Sequence, residues 1–276
     1  MRRESEVEKM KMCYTDEENI LILISLLKAH GIRKIIASPG TTNISFVGSV
    51  QSDPFFEVYS AVDERAAAFM ACGLAEESEE PVVLSCTGAT ASRNYIPGLT
   101  EAYYRHLPVL AITSTQHTGA HRITIMHRLL IESVTFPDVV KKSIQLPSVF
   151  SEEDRQYTIT AVNDGLLELM HREKGPVHFN LTTVYSAQFT TEELPKCRVI
   201  HRIMTDEFPK IPVGKIGIYV GAHEAFSPEL TAAIDAFCEA NNAVVICDQI
   251  SNYRGKYRFL ASSGEQSGKR VWNQNF

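Results

Sequence analysis

The sequence predicts an α/β protein: a parallel sheet with helices on both faces, followed by the start of a second α/β domain. Three observations carry this. Short apolar runs alternate with helical periodicity from residue 15 to about 181, which is the pattern of parallel strands joined by crossover helices. Turns of small residues follow several of those runs, as in Ser38-Pro39-Gly40 and Thr87-Gly88. Periodicity then disappears from 182 to 213, where Pro195, Pro209 and Pro212 punctuate the chain, and the alternation resumes beyond.

Taken in order, residues 1–14 are charged and read as a flexible N-terminus. Thr15-Asp16-Glu17-Glu18 reads as a capping box opening a helix, with Ile20, Leu21, Leu23, Ile24 and Leu27 as its buried face and Gly31 as its end. Lys34–Ala37 is a strand, broken by Ser38-Pro39-Gly40, and Thr41-Thr42-Asn43 begin the next helix. A strand at 55–62 leads to a helix at 64–78, and the strand 81–86 to a helix at about 91–105. Residues 108–113 form a further strand, while 114–150 is irregular. The segment 152–173 has one apolar helical face, and 175–181 closes the set as a strand. We therefore place one domain at 15–185, a connector at 186–213 and an incomplete central α/β domain at 214–276. The last is read as two strands, 215–221 and 243–248, around one helix, 228–240. So small a unit does not cover its own apolar faces.

A hydrophobic share of 44% with 22% charged residues is that of a globular protein that buries a core. The net charge of -6 argues against nucleic-acid and anionic-membrane partners. The first residues lack the apolar core of a signal peptide, and no run of 18 apolar residues offers a membrane span. Six scattered cysteines, without a C-x-x-C pair, fit a reduced cytoplasmic protein with no structural metal; Cys72, Cys86 and Cys247 lie in apolar elements and read as core.

The most informative residue is Glu64. It opens a helix that is apolar on every side, through Ala66, Ala67, Ala68, Phe69, Met70, Ala71, Cys72, Leu74 and Ala75. Such a helix is expected to be buried on all faces. Two readings of Glu64 stand together: an acidic first turn favoured by the helix dipole with Asp63 as the cap, or a carboxyl in an apolar site ready to hydrogen-bond a ligand. Other ligand-facing signals fall at the same kind of place. Pro39, Gly40, Thr41 and Thr42 follow the first strand, Thr87, Gly88, Thr90 and Asn94 the third, and Gln116 the fourth. In open parallel sheets the C-terminal strand ends are where ligands bind.

The segments A-S-P-G-T-T-N, D-E-R-A-A-A-F-M-A-C-G-L-A, C-T-G-A-T-A-S-R-N-Y-I-P and G-P-V-H-F-N together resemble the N-terminal pyrimidine-binding domain of thiamine-diphosphate-dependent enzymes. Within that superfamily the chain is most similar to the 2-succinyl-5-enolpyruvyl-6-hydroxy-3-cyclohexene-1-carboxylate synthase family of menaquinone biosynthesis. The resemblance implies thiamine diphosphate as cofactor, with Glu64 as the catalytic residue that hydrogen-bonds N1′ of its aminopyrimidine. Pro39, Gly40, Thr87, Gly88, Thr90 and Asn94 would bind the cofactor. Thr41, Thr42, Gln116 and Arg122 would face a 2-oxo acid substrate.

Thr42 and Gln116 stand where the menaquinone family has arginines. This removes two bidentate carboxylate forks, although His117, His121 and Arg122 are nearby donors. The family's G-D-G motif, which holds diphosphate and magnesium, is not found in the sequence, and Asn241-Asn242 has no such motif before it. The resemblance thus implies a homodimer or higher oligomer, or a separate subunit that carries the diphosphate-binding domain. The alternative is a non-catalytic binding or regulatory module that retains the fold. A generic nucleotide-binding protein is disfavoured, because neither G-x-G-x-x-G after a strand nor a Walker G-K-[ST] occurs.

Overall fold

A computed structural model describes residues 12–88, 90–116, 138–203, 210–211 and 213–261. The chain divides into two compact units, Met1–Arg202 and Ile203–Phe276. The first is built on a six-stranded sheet of β1 (Lys34–Ala37), β2 (Glu57–Ser60), β3 (Val82–Thr87), β4 (Val109–Gln116), β5 (Lys142–Leu146) and β6 (Val177–Thr183), in the order β2-β1-β3-β4-β6-β5. Every neighbouring pair is parallel. Because the order runs outward from β1 in both directions, right-handed crossovers place helices on both faces. Strand β5 lies within the stretch that the sequence left irregular. Its Ile144 and Leu146 join the apolar core while Ser143 and Gln145 bond to His178 and Asn180 on the other face. A strand with one polar face that is itself hydrogen-bonded inside gives no clear apolar signal.

One face of the sheet packs against α1 (Glu18–Ala29), α2 (Ile44–Ser52) and α6 (Glu152–Leu169). The predicted capping box does not form: α1 starts at Glu18, its N-cap is Glu17, and no side chain caps it. Glu17 is instead drawn inward. Its carboxylate accepts from the Ser45 and Thr183 hydroxyls and the Val184 and Ser186 amides, at 2.6 to 3.0 Å. Those donors fix the helix start better than a local box would. Helix α6 ends before the expected residue 173, because the Lys141 ammonium donates to the carbonyls of Glu168, His171 and Glu173, each at 2.8 Å. Residues 186–202, which lack periodicity, lie in an extended course against this layer. Tyr14 and Thr191 form an antiparallel bridge, Ser25 Oγ donates to the Pro195 carbonyl at 2.8 Å, and Leu194, Cys197 and Val199 pack on the core.

On the opposite face lie α3 (Glu64–Ser78), α4 (Thr90–Asn94) and α5 (Ile96–Tyr104). The single helix expected at 91–105 is two, since Pro97 has no N–H to continue the ladder across the junction. Helices α3 and α5 approach closely at Gly98, where a methyl group would lie 2.4 Å from Ala68 Cβ and 2.9 Å from its backbone carbon. Helix α3 corrects a further expectation. Ala67, Ala68, Ala71, Cys72 and Ala75 are buried, but Phe69 and Met70 on its outer side are 45% and 47% exposed, and Val62 just before it is 89% exposed.

The second unit is a parallel sheet β7-β8-β9, made of Gly217–Val220, Val244–Cys247 and Arg258–Leu260, with α7 at Pro228–Asn241. It therefore has three strands where the sequence suggested two; β9 follows a helix-free crossover anchored by Tyr253, whose hydroxyl donates to Asp235 at 2.6 Å. Cysteines 72, 86, 238 and 247 are buried and all six are unpaired. Among the described residues no helix is long and apolar enough to cross a membrane.

Candidate functional site

The sheet reverses its winding between β1 and β3, so the crevice at their C-terminal ends is the topological switch point where such folds take ligands. The turn after β1 fills one side of it. Asn43, buried, holds that turn closed: its Oδ1 accepts from the Gly40 amide at 2.8 Å, and its Nδ2 donates to the Ser38 carbonyl and to Ser85 Oγ on β3, both at 3.1 Å. Gly40 then lies against Thr87, whose Cγ2 would be 2.5 Å from an added methyl. The absence of a side chain is what lets the turn seat against β3.

Glu64 enters from the neighbouring strand, β2. Asp63, not Glu64, caps α3, its carboxylate accepting from the Ala66 amide at 2.7 Å. This is the helix-start arrangement expected of the pair, with Asp63 as cap and Glu64 in the first turn. Glu64 is left to its single described hydrogen-bond partner, Asn94, whose Nδ2 donates to Oε2 at 3.3 Å. Its side chain is half-buried, so the dry apolar surroundings expected for it are only partly supplied by the residues around it.

The remaining predicted residues spread along the same edge. Thr42 Oγ1 donates to the Ser114 carbonyl at 2.7 Å and ties the turn to β4. Pro39, Thr41 and Thr90 are exposed, while Thr87 and Gly88 are half-buried. Gly88 packs on Thr115, whose Cγ2 would lie 2.5 Å from an added methyl. Gln116 ends β4 opposite Thr183. His117, His121 and Arg122 lie outside the described residues, as does Ala89. Thus the structure joins Glu64 to Asn94, Gly40 to Thr87 and Thr42 to β4, whereas Pro39, Thr41 and Thr90 share only the edge.

Tyr95, behind the turn, escaped the sequence reading, and Ser38 and Asn43 entered it only as the ends of the segment Ser38–Asn43 expected to face the substrate, without Asn43's part as the staple of the turn. Their signal, had it been used, was a polar residue inside each of the segments S-P-G-T-T-N and R-N-Y-I-P. Tyr95 is fully buried, and burial pushes its phenol well above the usual range, with the nearby Cys86 thiol and the Glu64 charge acting in the same direction. Burial likewise raises the Cys86 thiol. Among the described residues no group of three or more His, Cys, Asp or Glu side chains could hold a metal ion. The site offers a carboxyl, an amide and small-residue walls, which suit an uncharged heteroaromatic ring better than an anion.

Residues 21–133 match the family model described as thiamine pyrophosphate enzyme, N-terminal TPP binding domain. The 2-succinyl-5-enolpyruvyl-6-hydroxy-3-cyclohexene-1-carboxylate synthase of Bacteroides thetaiotaomicron is 40% identical over 190 residues, covering 68% of this chain and 34% of that protein. The synthase of the same description from Porphyromonas gingivalis is 29% identical over 274 residues, covering 91% of the chain and 47% of that protein. The chain therefore spans between a third and a half of the length of these relatives. Among solved structures, benzoylformate decarboxylase from Polynucleobacter necessarius aligns with TM-score 0.53 and 20% identity over 84% of this chain and 43% of that one, a likeness of fold.

Proposed function

We propose, from a chain whose residues 21–133 are an N-terminal thiamine pyrophosphate-binding domain homologous to that of the 2-succinyl-5-enolpyruvyl-6-hydroxy-3-cyclohexene-1-carboxylate synthases, that it forms the cofactor-activating part of a thiamine-diphosphate-dependent carboligase or decarboxylase acting on a 2-oxo acid. The observation that supports this reading is the Glu64–Asn94 pair at the C-terminal edge of the sheet. Asp63 caps the helix, which leaves Glu64 at the mouth of the switch-point crevice with Asn94 as its partner. The close seating of Gly40 on Thr87 and of Gly88 on Thr115 keeps this edge low, which would suit the pyrimidine half of the cofactor.

When bound, thiamine diphosphate supplies the electron sink for breaking and making the carbon–carbon bond beside a ketone. This chain's residues would do the rest on the pyrimidine side. Glu64 would hold a proton in a hydrogen bond to N1′, and Asn94 would orient its carboxyl. Pro39, Gly40, Thr87, Gly88 and Thr90 would shape the pocket, with Thr41, Thr42, Gln116 and Arg122 toward the substrate. With Thr42 and Gln116 in place of arginines, and the Thr42 hydroxyl already donating to the Ser114 carbonyl, the substrate would be met on this side by the Thr41 hydroxyl and the Gln116 amide and not by paired guanidinium forks.

The diphosphate and magnesium are held by polypeptide outside these 276 residues, which contain no G-D-G. The bare outer side of α3, with Val62, Phe69 and Met70, supports a partner at this place. In this reading 15–185 is the pyrimidine domain, 186–213 the connector and 214–276 the start of a central domain.

The test is exchange of the cofactor's C2 proton, followed by NMR with magnesium, in the presence of the polypeptide that carries G-D-G and the asparagine pair. Wild-type chain should accelerate exchange, and Glu64→Gln should slow it by about 100-fold or more. Equal exchange by the two would sink the catalytic reading and favour a non-catalytic module.

A further inference from the structure

Two hydroxyls sit unused directly behind the candidate site. The Tyr95 hydroxyl and Ser38 Oγ are buried and without a hydrogen-bond partner among the described residues. Tyr95 is 0% exposed and Ser38 is 4% exposed. They are polar neighbours that do not meet at hydrogen-bond geometry, and the third member of the group, Cys86, directs its thiol to the Thr87 carbonyl at 3.0 Å. Leaving a hydroxyl unpaired inside a protein is unfavourable. A phenylalanine would fill the same volume at Tyr95, so the oxygen has no packing role.

Their place in the fold says what they could control. Ser38 is the first residue of the turn that carries Pro39 and Gly40, and its backbone is already fixed from both sides: its amide donates to the Ser85 carbonyl at 2.8 Å and its carbonyl accepts from Asn43. Only its side chain is uncommitted. Tyr95 stands one residue after Asn94, the partner of Glu64. A bond between the two hydroxyls would therefore tie the Gly40 turn to the segment that orients Glu64.

We propose that Tyr95 is a positioning residue whose hydroxyl closes on Ser38 Oγ when the crevice is occupied, so that cofactor binding locks the Gly40 turn to the Asn94 segment. This rests on the functional reading above. Hydrogen bonds at such sites are often loose in the empty protein and tighten in the complex, and one such bond corresponds to roughly three- to tenfold in affinity.

The experiment compares Tyr95→Phe, Ser38→Ala and the double variant, each with the G-D-G polypeptide, by thermal melting with and without thiamine diphosphate and magnesium and by titration of the cofactor. Without cofactor, both single variants should melt at or above the wild-type temperature. With it, each should bind roughly three- to tenfold more weakly, and the double variant no more weakly than either alone, since both remove the same bond. Additive losses, or affinity equal to wild type, would overturn the inference while leaving the functional reading intact. A fall in melting temperature without cofactor, at unchanged affinity, would make the pair merely structural and overturn it too. Failure of the wild-type assembly to bind the cofactor would overturn both readings together.

Discussion

Helices α1 and α3 have much the same sequence character and different fates. ENILILISLLKA and ERAAAFMACGLA are both apolar on nearly every side. In α1 the burial follows: Asn19 to Ile24, Leu26 and Leu27 are enclosed. One side meets the sheet and α6, and the other is covered by residues 186–202 of the same unit, through Ser25 and the packed Leu194, Cys197 and Val199. Helix α3 has the sheet and α5 on its alanine side and, among the described residues, nothing over Phe69 and Met70. The same apolar pattern thus marks an enclosed helix in one case and, among the described residues, a helix with one exposed side in the other. The sheet repeats the contrast. On the α1 face β1, β3, β4, β5 and β6 all give apolar side chains to the core, with polar residues such as Ser85 and Thr183 toward their C-terminal ends, while on the α3 face β4, β5 and β6 carry a polar chain from Ser143 through His178, Thr113, Asn180 and Gln145 to Thr182.

The comparison can be broken first at the α1 core. Leu23→Ala should destabilise the chain by about 2–5 kcal/mol in urea unfolding; a loss under about 1 kcal/mol would mean that α1 is not the closed layer described. The polar chain on the other face should reveal itself through pH. Burial holds the His178 imidazole down to about pKa 3, below its unfolded value of about 6.5. Between those values the unfolded state binds the proton and the folded state does not, so stability falls as pH falls. The loss should reach roughly 3 kcal/mol by pH 4. His178→Gln should flatten that slope, and an unchanged slope in the variant would assign it to other groups.

A smaller effect is expected where the cover of α1 is pinned. Asn163 uses its whole amide: Oδ1 accepts from the Ile200 amide and His30 Nε2, and Nδ2 donates to the carbonyls of Ile159 and Arg198. Asn163→Ala should cost about 2 kcal/mol and speed hydrogen exchange at Ile200 while leaving β3 protected. The smallest change should come from the outer side of α3. Phe69→Ala should alter the stability of the chain alone by no more than about 0.5 kcal/mol, yet weaken assembly with the diphosphate-binding polypeptide proposed above, measured by sedimentation. Strong destabilisation without a partner would show that α3 is already covered.

Much of this was legible beforehand, for definite reasons. Strand β1 and helix α3 fall on the predicted residues, because their apolar runs end at strong punctuation: Ser38-Pro39-Gly40 in one case, an Asp63 cap in the other. Strand β5 was not legible, since the partners of Ser143 and Gln145 stand more than 30 residues away in the chain. The capping box at Thr15 was plausible locally and lost to four distant donors on Glu17. At the candidate site, Glu64, Gly40 and Thr87 could be picked out by residue type at strand ends. Tyr95 and the stapling role of Asn43 could not, because their importance lies in what they bond, or fail to bond, across the crevice.

The sequence alone therefore determined the alternation of elements, the parallel sheet and the strand ends at which ligand chemistry gathers, since these follow from local periodicity and turn residues. Tertiary structure alone decided what Glu64 meets beside the Asp63 cap, which side of α3 has nothing over it among the described residues, and which hydroxyls there lack a partner behind the turn. Those outcomes depend on contacts between segments far apart in the chain, where several locally acceptable arrangements compete and the sum of distant hydrogen bonds and buried area selects one.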